Sequence, residues 1–132
     1  MLKKIRVKTN RRVELLDISQ QIKSLIKEEK INNGIAIIYT PHTTAAITIN
    51  EHADPDVVAD IISEINKIVP FSDGYQHFEG NSAAHIKSSL FGPSETIIIE
   101  KGKLLMGRWQ GIFFCEFDGP RNRELYVKII ED

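Results

Sequence analysis

The chain has 132 residues and a formal net charge of -1, with 17 basic against 18 acidic side chains, so it is sized for one domain and lacks the basic excess that nucleic-acid binding demands. Its single cysteine, Cys115, lies in the apolar run that starts Ile112-Phe113-Phe114 and has no partner for an internal disulfide, as expected of a buried thiol in a cytoplasmic protein. The start Met1-Leu2-Lys3-Lys4-Ile5-Arg6 is charged with no apolar segment behind it, and no stretch is long enough to span a bilayer, so neither export nor membrane insertion is expected.

Ile5 and Val7 alternate with Lys4, Arg6 and Lys8, and Val13 and Leu15 resume after the polar residues 9–12, which predicts a hairpin or bent strand pair. From Asp17 the spacing changes. Ile18, Ile22, Leu25 and Ile26 fall three or four apart, predicting a helix to about Glu29 with Asp17 as cap and Gln20 placed as in a capping box. Asn32-Asn33-Gly34 ends it, and the β-branched run 35–39 predicts a strand that leads through Thr40-Pro41 to the stretch 42–56. There Ala46, Thr48 and Asn50 alternate with Ile47 and Ile49, before Asp54-Pro55 marks a helix start.

Val57, Val58, Ile61, Ile62, Ile65 and Ile68 give that second helix an apolar face, and it must stop before Pro70. Residues 71–80 lack any period and read as a loop. Asn81 or Ser82 can cap a short helix through Leu90, closed by Gly92-Pro93. The remainder predicts strands at 96–100, 104–117 and 124–130, joined by turns at 101–103 and 118–121 and therefore antiparallel. This order predicts an α+β domain spanning residues 1–132, a mostly antiparallel sheet with helices packed on one face.

Polar and titratable residues gather at the element ends. Three convergent imidazoles, His42, His77 and His85, would make a divalent-metal site, whereas three separately hydrogen-bonded histidines are the plainer reading. His52 reads as a surface residue beside a helix cap. Glu51, Asp54 and Asp56 precede a helix, where carboxylates complement its dipole; Asp54 is explained as a cap, which leaves Glu51 as a general base or magnesium ligand. Gly80-Asn81-Ser82-Ala83-Ala84-His85 sets small residues at a helix start, an arrangement able to hold phosphate. Gly107 and Gly111 flank Arg108-Trp109-Gln110, and a glycine in a strand marks a bulge or a close approach of ligand or backbone. Asp118 and Arg121 form a turn-closing ion pair, or else Arg121 clamps an anion.

The runs His42-Thr43-Thr44-Ala45-Ala46, Asn50-Glu51, Asp54-Pro55-Asp56, Tyr75-Gln76-His77, Gly80 to His85, Gly107-Arg108-Trp109-Gln110 and Phe117 to Arg123, in that order, resemble the YjbQ family over nearly the whole chain. The resemblance implies a homotrimer with sites near subunit boundaries. It also implies a secondary thiamine-phosphate synthase activity, which joins hydroxymethylpyrimidine diphosphate to thiazole phosphate and releases pyrophosphate. On that basis His42, Glu51, His77 and His85 are expected to be catalytic, and Thr44, Asn50, Asn81 and Arg121 to bind substrate. Zinc is expected on His42, His77 and His85, or magnesium on the substrate diphosphate. Two alternatives remain: a non-catalytic metal or small-ligand binding protein, and a structural trimer whose histidines and carboxylates merely pair across interfaces.

Overall fold

The strands divide between two sheets, which no local pattern distinguishes. In the computed structural model, which describes residues 1–132, β1 (Leu2–Lys8), β3 (Gly34–Tyr39), β5 (Ser94–Glu100), β6 (Lys103–Leu104) and β8 (Asn122–Glu131) form one sheet, ordered β1-β8-β3-β5-β6. A smaller sheet is ordered β2-β7-β4, from β2 (Glu14–Asp17), β7 (Gln110–Glu116) and β4 (Ala45–Glu51). Every pairing is antiparallel, as expected. The helices are α1 (Ser19–Glu28), α2 (Pro55–Ile68) and α3 (Ser82–Phe91).

Three expectations change with this division. β1 and β2 are not a hairpin, because β1 pairs with β8 and β2 with β7. The run 104–117 is not one strand; it leaves the large sheet after Leu104 and enters the small one at Gln110. The turn 118–121 likewise crosses between sheets, since β7 and β8 do not pair.

The sheets face each other across a core built from Ala36, Ile38, Ile97, Ile99, Leu125 and Val127 on one side and Ala45, Ile47, Ile112 and Phe114 on the other. Ile18, Ile22, Leu25 and Ile26 bring α1 into that same core. The helices therefore do not share one face of one sheet. Val58, Ile61 and Ile62 of α2 and Ala84 and Phe91 of α3 cover the small sheet's outer face, packing on Leu15, Ala46, Phe113 and Cys115. Buried on both faces, β7 reads as a continuous apolar run, while β8 alternates because only one face of its sheet is covered. The thiol of Cys115 is fully buried and pushed up by that burial, so it packs as a small apolar group.

Local chemistry sets the ends. Asp54 caps α2 by accepting from the Asp56 N–H at 2.9 Å, with Pro55 in the first turn. Asp17 accepts from the Ser19 N–H at 2.9 Å at the start of α1, but Gln20 completes no capping box; its amide donates to Ser24. No helix is long and apolar enough to cross a membrane.

Candidate functional site

Where β4 begins and β7 ends, a buried polar knot ties both sheets together. Glu116 and Arg123 are 0% and 7% exposed and form an ion pair. Arg123 Nε donates to Glu116 Oε1 at 2.8 Å and Nη2 donates to Thr44 Oγ1 at 2.8 Å. Glu116 also accepts from Thr9 Oγ1 at 2.7 Å and the Asp118 N–H at 3.0 Å. Burial alone would raise the Glu116 pKa; hydrogen bonds from Arg123, the Asp118 N–H and Thr9 outweigh it, so the carboxyl lies below the ordinary glutamate value. Gly119 is required beside this knot, because a Cβ there would collide with the Arg11 carbonyl oxygen. Thr44, expected to contact substrate, is thus committed to orienting Arg123.

The knot leads outward to Asp118. Asn81 Nδ2 donates to Asp118 Oδ2 at 3.1 Å, and Arg121 donates to the same carboxylate at 2.9 Å through Nη2 and to the Asp118 carbonyl at 2.7 Å through Nε. Asp118 is raised by burial but lowered further by Asn81, Arg121 and Arg123, for a net downward shift. Arg121 therefore closes the turn and keeps Nη1 free. Asn81 stands at the N-cap of α3 yet makes no capping bond, because its amide is turned to Asp118. The Ser82 and Ala83 N–H groups are left bare, and Asn81 Oδ1 is buried without a partner.

Beside that helix start lies a cleft of about 440 Å³, lined by Tyr75, Gln76, His77, Ser82, His85 and Ile86. The imidazoles of His77 and His85 meet edge to face, with centroids 5.8 Å apart. His77 has one charged neighbour, Glu79 at 3.7 Å. The loop carrying His77 is fastened at its base by Lys87, which is 0% exposed, donates to Asn66 Oδ1 at 2.6 Å and lies 4.2 Å from the Phe71 ring centroid. Arg12 lies 3.8 Å from the same ring centroid. Burial, then the charge of Arg12, lowers Lys87 to about 8.

His42 does not join the pair. It lines a separate cavity of about 580 Å³ with Arg6, Lys8, Asn122, Arg123 and Glu124, and its Nε2 accepts from the Glu124 N–H at 3.0 Å. Burial and then Arg123 lower its pKa, which favours the neutral ring. With Nε2 holding that backbone donor, the ring proton sits on Nδ1, and ligating a metal through Nδ1 would turn two donors against each other. No three histidine, cysteine or carboxylate side chains of the chain converge on a metal position. The expected three-imidazole zinc site is therefore not formed within one chain, which offers His77 and His85 alone, short of the three protein ligands of catalytic zinc.

Asn50 and Glu51 lie at the far end of β4, a strand's length of about 20 Å from His42. There the Asn50 Oδ1 accepts from the Glu51 N–H at 2.7 Å. His52, beside them, is tied by Nδ1 to Asp17 Oδ2 at 2.7 Å, and its ring lies against Gly111, where a Cβ would approach to 2.5 Å. The close approach at this strand glycine is thus to a side chain rather than to the ligand or backbone expected. Sequence reasoning did not single out Arg123, Glu116 or Lys87. A glutamate ending an apolar run and a lysine inside a helix otherwise rich in small and apolar residues were the available signals.

A family model described as UPF0047 protein YjbQ-like matches residues 3–132. A UPF0047 protein of Methanocaldococcus jannaschii is 61% identical over 132 residues, covering 100% of this chain and 96% of the relative. The UPF0047 protein YugU of Bacillus subtilis is 49% identical, covering 98% and 99%. A solved YjbQ/UPF0047 structure from Clostridium acetobutylicum matches with a TM-score of 0.95 at 51% identity, covering 97% of this chain and 99% of that one. A YbjQ-like structure from Sulfolobus solfataricus matches with a TM-score of 0.96 at 35% identity, covering 100% and 97%. The chain belongs to the YjbQ/UPF0047 family.

Proposed function

We propose that the chain is an enzyme acting on a small phosphorylated or diphosphorylated substrate in the His77–His85 cleft. The observation that carries this reading is the start of α3, where Asn81 is diverted to Asp118 and Ser82, whose N–H has no partner, lines the cleft beside two imidazoles. Bare N–H groups at a helix N-terminus seat phosphate, and an imidazole titrates near neutral pH.

The reaction the resemblance implies is thiamine-phosphate synthesis. As the thiazole nitrogen forms its bond to the pyrimidine methylene and the bond from that carbon to the diphosphate breaks, negative charge grows on the departing diphosphate. The Ser82 N–H at the cleft matches that charge, with Arg121 as the anion contact the resemblance implies, and His77 or His85 delivers a proton to it. Magnesium would arrive on the diphosphate oxygens, a hard-oxygen environment that suits it better than imidazole. No step above depends on a metal.

A homotrimer suits the uncovered face of the large sheet. Tyr39, Ile98 and Ile130 project there at 44%, 51% and 48% exposure, and Leu2, Ile37 and Tyr126 line a shallow apolar hollow.

The test is product formation by the full chain with both substrates and magnesium, beside folded His77→Ala and His85→Ala. Loss of about 100-fold or more in either variant is expected for a general acid; unchanged turnover sinks the assignment. A second reading is a non-catalytic binding protein, favoured by the partnerless Asn81 Oδ1, which suits a donor or cation. It predicts stoichiometric binding and no product.

A further inference from the structure

At the opposite end of β3 from His42 lies a cavity of about 550 Å³, walled by Lys23 and Lys27 of α1 and Lys101 and Lys103 of the β5–β6 turn, over Ile26 and Leu104. No carboxylate lines it. None of these lysines is in an ion pair; the lysines that form one are Lys3, Lys4 and Lys67. Glu100 stands opposite Lys103 in the ladder and makes no ion pair with it.

In a chain of net charge -1, four unpaired ammonium groups around one hollow need a reason. The helix dipole accounts for Lys27, in the last turn of α1. It does not account for Lys23, one turn earlier, where a like charge four residues away repels. The other wall is rigid. Lys101 and Gly102 take φ of 51° and 77°, and their N–H groups donate to Asn33 Oδ1 at 3.0 Å and the Asn32 carbonyl at 2.8 Å. The turn's backbone is thus fixed against the segment that follows α1, and its two lysines are presented across the hollow from the helix.

We infer that this cavity is a second binding site, for a multiply charged phosphate anion, separate from the His77–His85 cleft. Each ammonium offers three N–H donors to phosphoryl oxygens, and an anion at the centre converts the mutual repulsion of the lysines into attraction. The volume lies in the range of small-ligand sites, and the six-residue strand β3 sets it roughly 20 Å from the His42 end.

The experiment is a titration of the 15N-labelled full chain with inorganic triphosphate, followed at each backbone amide. Saturable shifts at 23–27 and 101–104 are expected. Lys23→Gln combined with Lys103→Gln should weaken them about tenfold or more, while shifts at 77–85 stay as in the parent. Lys3→Gln combined with Lys67→Gln, equal in charge change, should leave them intact. Thermal unfolding of the first double variant should match or exceed the parent, because repulsion is relieved. The proposal is overturned by equal weakening in both double variants, which would indicate general attraction to basic surface. It is also overturned by the absence of saturable shifts at 23–27 and 101–104 at millimolar triphosphate.

Discussion

The Arg123–Glu116 knot and the His77–His85 cleft lie on either side of Asp118, and they treat polar groups in opposite ways. In the knot, both Glu116 oxygens and the Arg123 Nε and Nη2 have partners, and both side chains are buried. In the cleft, two imidazoles and the Ser82 N–H are left short of partners, and just behind it the Asn81 Oδ1 is buried without one. Satisfied polar groups hold two sheets in register, whereas unsatisfied ones have capacity left for a ligand.

The sharpest way to break the knot is Arg123→Met, which leaves Glu116 charged, buried and unpaired. Destabilisation of about 3–5 kcal/mol is expected in urea unfolding. Removing both charges, with Glu116→Leu added, should recover much of that loss, because the pair's own desolvation cost disappears as well. Since the folded Glu116 pKa is depressed, its contribution is complete above the unfolded value of about 4.3 and is lost as pH falls through the lower folded value. The double variant should lack that acid limb, and an unchanged limb would mean another carboxylate sets it.

Lys87 sits behind the cleft with a neutral hydrogen-bond partner, so no opposite charge offsets its burial cost as one does in the knot. Its folded pKa of about 8 lies below the unfolded value of about 10.4, so the folded state releases its proton first. Parent stability should therefore rise relative to Lys87→Met between pH 8 and 10.4, by an amount on the order of 3 kcal/mol. Parallel pH profiles would show that Lys87 remains solvated. On the cleft side, His85→Ala should shift stability by no more than about 0.5 kcal/mol. A loss several times larger would make the histidine pair a structural contact.

How much of this was legible in the sequence depends on the range of the interaction. The 3.6-residue spacing from Ile18 to Ile26 and the Asp54-Pro55 cap are local, and α1 and α2 follow them. The division into two sheets is not local. Leu104 and Ile112 look alike in sequence, and only closure of the core assigns one to each sheet. The same holds at the site. His77 and His85 are eight apart, joined by a loop and the first turn of α3, so their nearness is short-range, although spacing alone left open whether the two rings meet. Placing His42 depended on the Glu124 N–H, 82 positions away, which no spacing rule could supply. Arg123 reads as a surface cation until Thr44 and Glu116 converge on it.

The smallest expected effect bears most directly on the difference between the two regions. Asn81→Ser gives α3 a side chain short enough to cap Ala83 or Ala84 and removes the amide that reaches Asp118. A cap gains about 1 kcal/mol and a lost hydrogen bond to a charged group costs about 1.5 kcal/mol, so stability should move little. Phosphate affinity should move more, because the hydroxyl competes for the N–H groups that the anion needs. Weakened phosphate binding at nearly constant stability, measured by titration and urea unfolding on the same sample, means the uncapped helix start is the anion's seat. If binding is retained, the seat lies with Arg121 and the imidazoles, and the diverted Asn81 serves only to orient Asp118.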